Sequence, residues 1–275
     1  MASYILYHYD PSIAGAVIFI FLFFVMALLH TIQLVRYRAW FMIPVIVGGI
    51  SYIGRVVSHH NSQAKGPFIT SSILALVAPA LFAASIYMIL GRIIRLLRAE
   101  HHSLIKVDRL TMIFVLCDIV SFIVQSGGGG MQVSKTHGLV HTGQVLVIAA
   151  LFLQMIIFGL FIMVAAIFHR RLKAQPTQSS LSSLPWQKHM LGLYLASGLI
   201  LVRNTVRTIE YIQGYSGYIN SHEVFLYVFD AVPMFLVMVV MAVIYAPKII
   251  KEEKERELSD SAIEMQGRHS KHGIV

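Results

Sequence analysis

Arg203-x-x-x-Arg207-x-x-Glu210 sets two guanidiniums and a carboxylate inside an apolar block that runs from His189 to Tyr211. At helical spacing the three side chains share one face. Asp118, Phe122 and Gln125 repeat this arrangement in another block, and so do Glu223, Tyr227 and Asp230 in a third. Arg55 closes a fourth. An ionisable group at bilayer depth costs a few kcal/mol on insertion scales, so each calls for a partner or a wet cavity. Two kinds of chemistry follow: ion pairs that lock helices together, or a polar lining that holds or gates the head of a lipid-like ligand. Gln154 lies deeper in its own block and joins that lining. The candidate ligand-binding or gating set is therefore Arg55, Asp118, Gln125, Gln154, Arg203, Arg207, Glu210, Glu223, Tyr227 and Asp230. Three arginines face four carboxylates, so neither sign of ligand charge is favoured.

A second constellation is His137 and His141, whose i, i+4 spacing can place two imidazoles on one metal. His59, His60 and His222 are expected on the same side of the membrane. The run His137-Gly138-Leu139-Val140-His141 lacks the acidic residue that follows the first histidine of a zinc-protease helix, and an intramembrane metal hydrolase stays the weaker alternative. No phosphate loop ending in Lys-Ser/Thr and no Gly-x-Ser-x-Gly elbow is present, which excludes ATP-driven pumping by this chain and assigns no catalytic residue and no cofactor.

The elements that must position these groups are membrane spans. Of the 275 residues, 57% are apolar and 13% charged, against roughly 25% charged in an ordinary soluble domain. The apolar blocks run Ile13 to Leu34, Trp40 to Ser58, Phe68 to Leu90, Leu110 to Gln125, Leu139 to Phe168, His189 to Tyr211 and Val224 to Tyr245. Each is near the roughly 20 residues that a helix needs to cross hydrocarbon. The first is too long for a signal-peptide core and is read as a retained span. The expected fold is all-α, a seven-transmembrane-helix bundle over residues 1–247, followed by a charged, disordered cytoplasmic tail over 248–275.

Orientation follows from the basic residues. Seventeen of the 22 Lys and Arg lie in one alternate set of segments, two (Lys65 and Lys135) in the other, and three inside spans. Basic residues near span ends stay on the cytoplasmic side, which puts the amino terminus outside and the carboxyl terminus in the cytoplasm. That asymmetry accounts for the net charge of +9 through topology and anionic lipid, without nucleic acid. The single cysteine, Cys117, rules out an intrachain disulfide. Gly127 to Gly130 ends the fourth block, as a hinge or gate or as a re-entrant turn. Pro79 can kink the third block, and Ala83-Ala84 lets a neighbour approach closely.

The pattern resembles the fungal RTA-like proteins, also called the lipid-translocating exporter family. The resemblance is carried by Tyr9-x-Pro11, Ser51-Tyr52-Ile53-Gly54-Arg55, and Ala78 to Tyr87 with Gly91-Arg92. It continues in Asp118 to Phe122 with Gln125 and Gly127 to Gly129, and in Gly143 with Gln154. Arg203-x-x-x-Arg207-x-x-Glu210 with Gly214, and Glu223 with Tyr227-x-Phe229-Asp230, complete it. One departure lies in the second span, where family members usually read Glu-x-x-Gly-Tyr-x-x-Arg and Gly48 stands here at the Glu position and Ser51 at the Gly. The resemblance implies a seven-span plasma-membrane protein that moves or exports amphipathic molecules such as sphingoid bases, sterol-like toxins or porphyrins, with resistance to toxic lipophiles as its effect. Its partners would be membrane lipids and an amphipathic small molecule. A seven-span receptor or sensor is the rival reading. It would need a cytoplasmic partner, and Leu90-Gly91-Arg92 lacks the Asp/Glu-Arg-Tyr signature of one large receptor class.

Overall fold

The computed structural model describes residues 13–37, 43–47, 50, 65–132, 137–177, 186–214 and 223–244. Among the described residues there are seven helical stretches and no strand. They are α1 (Ile13–Tyr37), α2 (43–47), α3 (Lys65–Leu96), α4 (Val107–Gln132), α5 (His137–Ala174), α6 (Trp186–Gln213) and a last stretch in three pieces. Those pieces are α7 (Glu223–Leu226), a π-helical turn (Tyr227–Ala231) and α8 (Val232–Ile244). Five of the stretches are long and apolar enough to cross a membrane. α6 is less apolar because its second half carries Arg203, Asn204, Arg207 and Glu210. Most of the second apolar block, with Gly48, Ser51 and Arg55, lies outside the described residues, as does the tail from Tyr245 onward.

The surface is built for lipid. On α4, Met112, Leu116 and Ile123 point outward, while Phe114, Asp118, Ser121 and Gln125 are buried on the opposite face. Apolar outside and polar inside reverses the pattern of a soluble helix, which is stable only where the outer solvent is hydrocarbon. α4 packs between α3 and α5, while α6 packs against α3, α5 and α8. α1 sits at the rim against α8, and only 22% of its apolar stretch is buried, against 67% of that of α3. α1 is clasped by polar side chains that reach the backbone of α8: His30 Nε2 is 3.1 Å from the Met238 carbonyl, and Gln33 Nε2 donates to the Ala242 carbonyl at 3.3 Å. In hydrocarbon a polar side chain finds its partner within the protein, and these two settle on carbonyls.

At the centre, Tyr87 of α3 packs its ring against Phe114 of α4 and Phe158 and Phe161 of α5, with centroids 5.4, 6.1 and 4.5 Å away. Such pairs contribute about 0.5–1.5 kcal/mol each beyond area burial. Helix α3 continues through buried Pro79 and ends in a left-handed Arg98 (φ 46°). Arg98 and Ala99 close the end with bonds to the Arg95 and Ile94 carbonyls, a Schellman turn. The chain then enters a short 3-10 turn, Glu100–His102, tied to the far end of α5. Thr177 Oγ1 donates to the Leu97 carbonyl at 2.9 Å, Arg171 Nη1 to the His102 carbonyl at 3.4 Å, and His102 Nε2 meets the Gln175 carbonyl at 3.0 Å.

The four glycines do not form a re-entrant turn. Helix α4 runs through Gly127 to Gly130 and stops at Gln132, so the fourth span is longer than its apolar block. Gly128 faces Gly143 of α5: a Cβ on Gly128 would lie 2.7 Å from the Gly143 carbonyl oxygen, and one on Gly143 would lie 2.5 Å from that of Gly128. The two backbones therefore touch, as small residues allow in membrane bundles. Gly127, Gly129 and Gly130 have open space where a Cβ would stand. Gly143→Ala should therefore destabilise by about 1–3 kcal/mol through overpacking, whereas Gly127→Ala should gain up to about 1 kcal/mol of helix propensity. Thermal unfolding of the detergent-solubilised protein would measure both; equal effects at the two positions would contradict the contact.

Candidate functional site

The polar residues of the spans fall into two groups. The first lies between α6 and the π-helical turn. Arg203 is 3% exposed, and its Nε donates to Asp230 Oδ1 at 2.6 Å. Its Nη1 is 3.4 Å from Asn204 Oδ1. One turn further along α6, Arg207 Nη1 donates to both oxygens of Glu210, at 2.9 and 2.8 Å. The Arg207 guanidinium lies 5.5 Å from the centre of the Tyr211 ring and also feels the charge of Asp230. Two cations and two anions thus share one cluster, which balances its charge. Arg207 Nε is buried with no hydrogen-bond partner among the described residues. The Arg207–Glu210 pair is the more open one, its side chains 11% and 19% exposed against 3% and 9% for Arg203–Asp230.

The π-helical turn decides what reaches this cluster. A π turn takes more residues than the 3.6 of an α-helix, so an i, i+3 pair is displaced around the axis. Asp230 meets Arg203 of α6, while Tyr227 lies against α1, with its ring stacked on Phe19 at 5.1 Å and 3.1 Å from where a Cβ on Gly15 would stand. Regular spacing places Tyr227 and Asp230 on one face; the turn sends them to different neighbours. Nothing is described of the Glu223 side chain, and Arg55 lies outside the described residues.

The second group lies between α3, α4 and α5. Asp118 is 3% exposed, and its Oδ2 accepts a hydrogen bond from the Tyr87 hydroxyl at 2.8 Å. Its partner is a tyrosine, not an arginine. Two turns along the same face of α4, Gln125 Nε2 donates to Gln154 Oε1 of α5 at 2.8 Å, and both are buried. Nearer the end of the bundle, Gln144 Nε2 of α5 donates to the Tyr211 carbonyl of α6 at 2.9 Å and ties the two helices. Tyr87, Ser121 and Asn204 belong to these groups although their spacing did not single them out. Asn204 was legible as the neighbour of Arg203, while Tyr87 stood in a segment that carries the family resemblance but had no spacing that tied it to Asp118.

His141 is exposed, and among the described residues no three His, Cys, Asp or Glu side chains converge as a metal site would need. His59, His60 and His222 lie outside the described residues, and nothing is described of the His137 side chain.

A family model described as RTA1 like protein matches residues 41–253. Protoporphyrin uptake protein 1 of Saccharomyces cerevisiae is 37% identical over 281 residues, covering 88% of this chain and 92% of its own length. Protein RTA1 of the same yeast is 34% identical, with 87% and 84% covered. Sphingoid long-chain base transporter RSB1, again from Saccharomyces cerevisiae, is 24% identical, with 86% and 72% covered. No solved structure matches the chain.

The two ion pairs should differ in their effect on stability. Asp230→Asn takes the carboxylate from a buried arginine, a change that costs about 3–5 kcal/mol. Glu210→Gln breaks a less deeply buried pair within one helix, leaves an amide oxygen for Arg207, and should cost less, about 1–3 kcal/mol. Unfolding midpoints in detergent would rank them, and a larger loss from Glu210→Gln would reverse the assignment.

Proposed function

The chain belongs to the RTA1 like protein family, and on that premise we propose that it is a multi-pass plasma-membrane translocator of amphipathic, lipid-like molecules. The observation that carries this reading is the charge-balanced cluster of Arg203, Arg207, Glu210 and Asp230, buried within helices whose outer surface is apolar. A lipid-like passenger needs two environments at once: polar groups for its head, and hydrocarbon or apolar helix surface for its body. The relatives' names point to such molecules, for one is named for protoporphyrin and another for sphingoid long-chain bases. The first carries carboxylates and the second an amine. A cluster with both signs can serve either, since a ligand carboxylate can take the place of Glu210 on Arg207, and an amine the place of Arg207 on Glu210. Bidentate guanidinium–carboxylate geometry suits such an exchange.

Arg207 and Glu210 are the groups that open to a head group, because their pair is the more accessible and Arg207 keeps a spare donor. Arg203 and Asp230 hold the scaffold behind them. Arg55 and Glu223 line the mouth in this reading, and Gln125 and Gln154 the inner wall. The amino terminus faces outward, as the excess of basic residues in alternate segments favours. The chain is a carrier, not a catalyst, and resistance to toxic lipophiles is the consequence of export.

In cells expressing the chain, Arg207→Ala and Glu210→Ala should abolish efflux of a labelled sphingoid base and protection against lipophilic toxins, while the protein still reaches the plasma membrane. Efflux at the unmodified rate from both variants would leave the cluster a structural feature only.

A further inference from the structure

Asp118 differs from the other acids that the structure describes inside the spans. Asp230 is paired with Arg203, and Glu210 with Arg207. Among the described residues Asp118 has no cation beside it. On α3 the titratable side chain that faces it is Tyr87, whose ring packs on Phe158 and Phe161 of α5, and on its own helix the adjacent titratable group is Cys117. Its Oδ2 accepts one hydrogen bond, and Oδ1 is buried with no partner among the described residues. An ionised carboxylate kept so deep with one donor is far from satisfied, and protonation removes its charge while Oδ2 can still accept from Tyr87.

The surroundings of Asp118 continue the pattern. Ser121, one turn along the same buried face of α4, is fully buried with its hydroxyl unpartnered among the described residues. A further turn brings Gln125 with Gln154, and then the α4–α5 crossing at Gly128 and Gly143. A file of polar groups at helical spacing therefore leads from the glycine-rich end of α4 to Asp118. Among the described residues the acid lacks a cation and two polar atoms of one stripe are unpaired, which neither an ion-pair lock nor apolar packing calls for.

We propose that Asp118 is a proton-binding site, reached along the Ser121–Gln125 face of α4, that takes up and releases one proton in each transport cycle. The step is simple: a proton from water converts the carboxylate to the neutral acid and is later returned to water, with no bond broken in the passenger. Tyr87 holds the ionised form by donating to it. The coupling to transport rests on the translocator reading above, but the proton site does not. One proton exchanged per passenger down a gradient of about one pH unit supports roughly tenfold accumulation.

The test uses the full-length chain in lipid vesicles with labelled sphingosine as the probe. Infrared difference spectra should show a protonated-carboxyl band that titrates with pH and is missing from Asp118→Asn. Tyr87→Phe, which removes a hydrogen bond that is stronger to the ionised form, should keep the band and displace its midpoint. A pH gradient should drive sphingosine accumulation by the unmodified chain, and Asp118→Asn should lose this response. The proposal falls if no titrating band is assignable to Asp118, or if Asp118→Asn responds to the gradient as the unmodified chain does. A titrating band without any protein-dependent sphingosine movement upholds the proton site and counts against the translocator reading instead.

Discussion

An arginine that is 3% exposed within an apolar bundle dictates the arrangement around it. The guanidinium keeps its charge at any physiological pH, so Arg203 has to find a carboxylate within the protein. Asp230 supplies it at 2.6 Å, from a π-helical turn. Placing that carboxylate fixes the rotation of the last helical stretch against α6. The same turn sends Tyr227 onto Phe19, and the carbonyls of α8 then receive His30 and Gln33. One ion pair thus bears on where α1 docks, on the other side of the last helical stretch.

Seven apolar blocks and their polar interruptions were legible because hydrocarbon imposes a length and a cost that composition records directly. Arg203, Arg207 and Glu210 are where helical spacing places them, since α6 is regular through that segment. What the sequence hid has identifiable causes. The π turn has no sequence signal, so the parting of Tyr227 from Asp230 could not be read. The partner of Asp118 was hidden because a tyrosine in an aromatic-rich span looks like packing, and Tyr87 is packing and hydrogen-bond donor at once. The glycine run was ambiguous for another reason: only Gly128 is constrained, and that constraint belongs to Gly143 fifteen residues away in sequence.

The two polar groups also divide the bundle chemically. Around α6 the charges are paired and cancel; between α3, α4 and α5 the groups are neutral amides, hydroxyls and one acid. A charge-balanced pair can exchange one member for a competing ion, whereas the acid on α4 has only Tyr87 beside it among the described residues. Helices α3 and α5 touch both α4 and α6, so the two kinds of site share their walls.

Helix α5 has 38 residues, which at 1.5 Å each is about 57 Å. The hydrocarbon layer is about 30 Å thick. Nearly half of the rod must therefore stand clear of it or lean across it, and the end beyond Phe168 carries Arg170, Arg171 and Lys173. That end grips the turn after α3 through Arg171, Gln175 and Thr177, while near the other end Gly143 bears on α4. A stiff beam with a fulcrum near one end and a handle at the other transmits tilt as displacement. A tilt of α4 over Gly143 would be carried along α5 to its basic end, because a helix moves as one piece along its length.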